Sequence, residues 1–121
     1  MPRHVLDESR IHPAVRAQVE GHQEDIVREV QDAVAAHAVV VVGLGWNPFV
    51  RKARRVLDSA GIAHHDLIYG NYLSDWRRRN ALKMWTGWPT FPMVFVKGVL
   101  VGGANDLHRL LDSGDVQRML A

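Results

Sequence analysis

Cysteine is absent from all 121 residues of this chain. Without a sulfhydryl group, the chain itself forms no disulfide, carries no thiolate nucleophile and offers no cysteine ligand to a metal or an iron–sulfur cluster. Histidine occurs seven times, but the positions are scattered. The adjacent pair His64 and His65 would point to opposite faces of a strand, which argues against joint metal ligation. We therefore predict no metal site.

Long apolar runs are also missing. No stretch approaches the roughly 18 residues that a membrane span needs. The first residues, "MPRHVLDESRIHP", contain no continuous apolar segment that could form the core of a secretory signal. We therefore expect no membrane partner and a cytoplasmic location.

A strong excess of one charge is lacking as well, since the formal net charge is only +2. That excess is too small to indicate nucleic acid by itself. The run of arginines at 77–79 has Trp76, Trp85 and Trp88 nearby, a combination that also occurs on nucleic-acid surfaces. A solvated helix face explains the arginines more simply, so we predict no nucleic-acid partner.

The patterns that are present predict one α/β domain. β-Branched "AVVVV" (38–42) is typical of a strand buried on both faces, and "HHDLI" (64–68) predicts a second strand. Lys97-Gly98 separates "MVFV" from "VLVGG", which indicates a β-hairpin. Helical patterns precede, separate and follow these strands, over about 23–36, 48–59, 75–85 and from 104 onward. A helical crossover makes the first two strands parallel, and the hairpin adds an antiparallel pair, so the sheet is predicted to be mixed.

Residues 1–22 are predicted to form an irregular leader and a short helix that ends near Gly21. Residues 23–121 are predicted to form the domain itself. The order of elements is that of a thioredoxin-type, three-layer α/β/α domain with a four-stranded mixed sheet and an N-terminal helical extension. No pattern in the sequence sets the oligomeric state.

The segment "VVVVGLGWNPFVRKARRVLDSAGI" (39–62) places a strand, a turn and an amphipathic helix in the order that many enzymes use to present a reactive group. Asn47 is a favoured N-cap, because its side-chain oxygen can accept a backbone N–H from the first turn. Pro48 fits the first helical position, where its missing N–H is not needed. Asn47, Pro48, Phe49 and Val50 include no nucleophile, so the junction has no evident catalytic residue.

The segment "WPTFPMVFVKGVLVGGANDL" (88–107) resembles the signature of monothiol glutaredoxins, in which a Trp-Pro-Thr-X-Pro loop leads into a hairpin ending in Gly-Gly-X-Asp. The resemblance extends over roughly residues 24–120. It implies a thioredoxin-like fold, with a cis peptide bond before Pro92.

Aligned with glutaredoxins, Asn47 takes the position of the reactive cysteine and Val50 that of the resolving cysteine. Leu44 stands where the family would carry a lysine near the thiolate. The family's redox chemistry and its cluster ligation both depend on that thiolate, so the resemblance implies neither activity for this chain. No other arrangement of residues replaces it, because Ser59, Ser74 and Ser113 lack an evident histidine–acid partner.

The resemblance also implies a glutathione-shaped groove that is partly retained. In the family, the loop before the proline pairs through its backbone with the cysteinyl part of glutathione. The Gly-X-Asp turn holds the γ-glutamyl carboxylate, and an arginine reaches the glycyl carboxylate. The corresponding residues here are Phe91, Pro92, Gly103, Ala104, Asn105 and Arg79.

Three functions remain open from the sequence. The first is a cysteine-free binding module that is not an enzyme and whose groove holds glutathione weakly, a peptide or a protein partner. The second is a glutaredoxin-family enzyme in glutathione-linked redox or iron–sulfur cluster handling, with cysteines supplied by another molecule. The third is a structural subunit with an empty groove. The missing cysteine favours the first.

Overall fold

The computed structural model describes residues 3–20, 24–44, 47–69 and 76–121. A short 3₁₀ turn at Glu8–Arg10 comes first in the described chain. The helices and strands that follow are α1 (Pro13–Glu20), α2 (Glu24–Ala36), β1 (Val39–Leu44), α3 (Pro48–Ser59), β2 (His65–Tyr69), α4 (Trp76–Thr86), β3 (Met93–Val96), β4 (Val99–Gly102), α5 (Ala104–Asp112) and α6 (Asp115–Leu120).

The four strands form a single sheet in the order β2-β1-β3-β4. β1 runs parallel to β2, with Val42 opposite Leu67, and antiparallel to β3, with Val40 opposite Phe95. β3 and β4 are antiparallel, as a hairpin requires. The predicted mixed sheet is therefore confirmed.

Helices cover both faces of this sheet. Val39 and Val41 of β1 pack into a core with the buried faces of α3, α5 and α6. Val40 and Val42 point the other way, into a second core with α2, α4 and Phe91. Both faces of β1 are thus buried, which explains its uninterrupted run of valines. The three-layer α/β/α arrangement is confirmed.

The turn between β3 and β4 follows directly from its two residues. Lys97 has φ 51° and Gly98 has φ 81°, so both lie in the left-handed region. Two consecutive left-handed residues give a type I′ turn, whose twist matches that of the flanking strands. Lys97 N–H also donates to Ala38 O at 2.7 Å, which ties the turn to the residue before β1.

The N-terminal extension differs in part from its prediction. The predicted irregular leader contains the 3₁₀ turn at Glu8–Arg10, in which Arg10 N–H donates to Asp7 O at 2.9 Å. Arg3 donates to Trp85 O at 3.4 Å, so the extension contacts the end of α4. The predicted helix break at Gly21 lies outside the described residues, as does residue 75, the predicted start of the helix over 75–85.

Candidate functional site

The first helix after β1 begins as its sequence predicts. Asn47 has extended backbone angles, and its Oδ1 accepts the N–H of Phe49 at 2.8 Å and that of Val50 at 3.4 Å. Pro48 occupies the first helical position. Asn47 is only 6% exposed, so this cap is largely buried. The predicted N-cap is confirmed.

Val50 lies on the inward face of α3 and belongs to the core. It is 2% exposed and packs directly on Gly43 of β1. A Cβ at Gly43 would lie 2.3 Å from Val50 Cγ2, far inside van der Waals contact. Residue 50 therefore serves the packing of α3 against β1 and does not face a ligand.

The loop from Trp88 to Pro92 lies opposite the start of α3. The Phe91–Pro92 peptide bond is cis, which confirms the prediction. Trp88 N–H donates to Thr86 Oγ1 at 3.1 Å, and the Trp88 ring packs on the core beside Phe91. These contacts fix the loop to the end of α4.

The start of α5 forms the third part of the site. Gly102 has φ 105°, and a Cβ there would lie 2.7 Å from Asp106 Oδ2. The close approach of Asp106 lets its Oδ2 accept Gly103 N–H at 3.0 Å. Asn105 Oδ1 accepts from Lys52 Nζ at 2.7 Å, which ties the start of α5 to α3. A glycine at 102 is needed for both the backbone angle and the space.

Together these segments line a groove of about 410 Å³. Its walls are Asn47 and Phe49, the loop 88–92, the turn 103–106, and Lys83 of α4. The structure therefore brings together most of the residues that the resemblance assigned to ligand binding, namely Phe91, Pro92, Gly103, Ala104 and Asn105. Arg79 lies in α4, but its side chain is outside the described part of the structure.

Lys83 is a groove residue that the sequence interpretation missed. Its Nζ lies 5.9 Å from the centre of the Phe91 ring, within range of a cation–π contact. It follows Arg79 by one helical turn, and that i,i+4 spacing is the signal that could have identified it. A cation that the resemblance did not assign thus lines the groove.

Phe49 and Trp88 were also missed as groove residues. Phe49 is exposed at the mouth of the groove. Trp88 also lines the groove, and Trp88 Nε1 is buried without a hydrogen-bond partner in the described chain. The groove is therefore partly aromatic, a property that suits the apolar part of a small ligand.

The two adjacent histidines diverge, as predicted. His64 contacts Asp58 and Asp66 on the α3 side, whereas His65 stacks on His37 with ring centres 4.1 Å apart. Within the described ranges, no group of three or more His, Asp or Glu side chains is placed to hold a metal ion. Nor does any described helix have the length and apolar character to cross a membrane.

Fold and site together define a thioredoxin-like domain whose groove is lined by no cysteine. A family model described as glutaredoxin matches residues 39–101, more than half of the chain. The chain belongs to the glutaredoxin family, and it is a member without cysteine.

Individual relatives agree with this assignment. A glutaredoxin-like protein of Dictyostelium discoideum is 41% identical over 96 residues, which cover 79% of this chain and 78% of that protein. A probable monothiol glutaredoxin of Rickettsia prowazekii is 31% identical over 96 residues, which cover 75% of this chain and 87% of that protein. The crystal structure of a buckwheat glutaredoxin–glutathione complex superposes with a TM-score of 0.72 at 23% identity, covering 84% of this chain and 92% of that one. At that identity the likeness concerns the fold alone.

Proposed function

We propose that this protein is a ligand-binding member of the glutaredoxin family that performs no thiol chemistry with its own residues. Its groove binds glutathione, or a peptide that presents carboxylates at a similar spacing. The glutathione carried by the buckwheat relative supports this choice of ligand class.

The observation that carries the proposal is the cap of α3. In a glutaredoxin, the N–H groups at this helix start stabilise a thiolate. Here the amide oxygen of Asn47 accepts the N–H of Phe49 and that of Val50. An amide neither attacks a disulfide nor ligates iron in the manner of a thiolate, so the wall beside the ligand becomes neutral and chemically inert.

The carboxylates of the ligand would be held at the two ends of the groove. The start of α5 offers backbone N–H groups next to Ala104 and Asn105, a setting that favours an anion. At the other end, Lys83 lines the groove, with Arg79 one turn earlier on the same helix. Two such partly exposed contacts correspond to a dissociation constant on the order of millimolar, or about 4 kcal/mol.

A glutathione titration followed by amide NMR tests this proposal. The amides of Phe91, Ala104 and Asn105 should shift with a common, saturable curve. Arg79→Ala and Lys83→Ala should each weaken binding about threefold to tenfold. Met84→Ala is the matched control, because Met84 lies on the same helix, is 64% exposed and does not line the groove.

Shifts confined to residues outside the groove would contradict the proposal, as would Met84→Ala weakening binding as much as the two cation variants do.

Iron–sulfur reconstitution in the presence of glutathione separates the proposal from a cluster-handling function with cysteines supplied by a second molecule. We expect the protein to remain colourless. A stoichiometric cluster would favour the cluster-handling function instead.

A further inference from the structure

The outward face of α3 is strongly basic. The helix carries four cationic side chains and one acidic one, in the stretch "RKARRVLD". A shallow depression of about 520 Å³ runs along this face, which we call the basic depression. Its lining residues are Pro48, Arg51, Arg54, Arg55 and Asp58.

Internal contacts already use part of this charge. Arg54 Nε lies 2.9 Å from Asp66 Oδ2, and Lys52 donates to Asn105 as described above. Arg51 and Arg55 are exposed, one helical turn apart, and have no ion-pair partner in the described part of the chain. Two guanidinium groups on adjacent turns of one helix face are thus available to an outside anion.

The small net charge of the chain hides this arrangement, because acidic side chains elsewhere in the chain, including those of α2, offset the cations of α3. α2, which covers the other face, exposes Asp25, Glu29 and Asp32. The basic depression therefore stands out locally, since the chain as a whole carries only +2.

We propose that the basic depression is a docking surface for an acidic polypeptide segment. Arginine pairs with carboxylates through two parallel N–H···O bonds, and Arg51 and Arg55 offer two such forks in succession. The depression begins at Pro48, between Asn47 and Phe49 of the groove. A bound segment would therefore lie beside the groove mouth.

Two features favour a polypeptide over nucleic acid. Asp58 lines the depression and is largely exposed, so it repels a continuous row of phosphates. A polypeptide can instead place a backbone N–H against this carboxylate, whereas a phosphodiester backbone has no donor. In addition, the lining residues include no aromatic side chain on which a base could stack.

The test is fluorescence anisotropy with a labelled peptide of alternating glutamate and alanine, compared with an oligothymidylate of the same net charge. The peptide should bind the wild-type protein more tightly than the oligonucleotide, and binding should weaken as salt is raised. Arg51→Gln combined with Arg55→Gln should weaken peptide binding about fivefold to tenfold.

Arg109→Gln combined with Arg118→Gln is the control with the same change in net charge. Each of these arginines already pairs with an aspartate three residues earlier, so this variant should bind the peptide as the wild type does. Circular dichroism checks that both double variants are folded. If either is not, the single variants Arg51→Gln and Arg109→Gln, which also match in charge, are compared instead. Weaker binding of equal size in the two double variants would overturn the proposal.

Tighter binding of the oligonucleotide than of the peptide would also overturn it, in favour of nucleic acid. A third result would overturn the proposal in favour of a second copy of this chain. In that case the protein does not bind the peptide but self-associates at low salt, and Arg51→Gln with Arg55→Gln abolishes the self-association. The basic depression would then bind α2 of the second copy.

Discussion

The sequence resemblance aligns Asn47 with the position at which glutaredoxins carry their reactive thiol. The Oδ1 of Asn47 accepts two backbone N–H groups of the first turn of α3. With that alignment, we propose that an amide oxygen fills the hydrogen-bonding role of the thiolate but not its chemical role. Because the donors at the helix start are satisfied within the protein, the α3 start can persist after the reactive group is gone.

Asn47→Cys should restore a reactive thiol at this position. The introduced side chain would lie at a helix N-terminus, where the N–H groups favour the thiolate and lower the thiol pKa below that of a free cysteine. Loss of the cap should lower the free energy of unfolding by about 1 kcal/mol. The dependence of the alkylation rate on pH measures the pKa.

Val50→Cys is the matched control for this experiment. Val50 is fully packed against Gly43, so a thiol there should alkylate slowly in the folded protein. If the thiol of the Asn47→Cys variant titrates no lower than a small-molecule thiol measured alongside, residue 47 does not lie at a helix N-terminus. Faster alkylation of the Val50→Cys variant would place residue 50, rather than residue 47, in the groove.

His64 links α3 to β2 through two carboxylates. Its Nδ1 lies 2.6 Å from Asp66 Oδ1 and its Nε2 lies 2.8 Å from Asp58 Oδ1, while Arg54 contacts the other oxygen of Asp66. Burial lowers the pKa of His64, but the hydrogen bonds and charges of Asp58 and Asp66 outweigh it and leave the pKa above its usual value.

A raised pKa in the folded state means that protonated His64 stabilises the fold. This contribution is fully present below the pKa of an unfolded histidine, about 6.5, and is lost as the pH rises through the folded value. His64→Gln should therefore reduce the free energy of unfolding more at about pH 5.5 than at about pH 8.5. Urea denaturation of both proteins at the two pH values measures this. An equal loss at both, or a larger loss at the higher pH, would contradict the assignment.

At the scale of elements, the contact between β1 and α3 determines how closely the helix start approaches the sheet. Gly43 leaves room for Val50, and an added methyl group would overlap Val50 Cγ2. We expect Gly43→Ala to lower the free energy of unfolding by about 1–3 kcal/mol. Chemical denaturation measures the loss.

The paired variant Gly43→Ala with Val50→Ala tests whether this contact is the cause. Val50→Ala removes the methyl groups that an added Cβ at residue 43 would overlap. Gly43→Ala should therefore lower the free energy of unfolding less in the Val50→Ala background than in the wild type, so the two losses should not add. Additive losses would mean that residues 43 and 50 do not press on one another.

Elements that depend on local chemistry could be predicted from the sequence. Asn47-Pro48 indicated the start of α3, Lys97-Gly98 indicated the hairpin, and segment 88–107 carried the family signature. The predicted β1 at 38–42 and the observed β1 at Val39–Leu44 differ at their ends, because apolar pattern does not fix where pairing with β2 begins and stops. β2 likewise begins at His65 and not at His64, whose side chain is committed to Asp58 and Asp66.

Features that depend on tertiary proximity could not be predicted in this way. Lys83 faces the groove only because α4 packs beside the loop that contains Phe91. The bridge from Asp58 through His64 to Asp66 joins two elements, and nothing in their spacing shows that they meet. The basic depression is not evident from the net charge of +2, because acidic residues such as those of α2 offset the cations of α3.

At the scale of the whole molecule, the proposed function predicts the absence of an activity on an otherwise retained fold. The protein should not accelerate the glutathione-dependent reduction of a mixed disulfide above the uncatalysed rate, because only a thiolate attacks a disulfide at a useful rate. The standard coupled assay measures this, with protein from a host that lacks its own glutaredoxins. Reproducible turnover by such a preparation would show that an activity survives without cysteine.

The central claim is that the groove still binds a glutathione-like ligand while taking no part in thiol chemistry. Calorimetric titration with glutathione and with S-methylglutathione, whose sulfur is blocked, tests both halves of the claim in one measurement. We predict saturable binding of both compounds with dissociation constants on the order of millimolar that agree within about twofold. Binding of neither compound, or binding of glutathione alone, would contradict the claim.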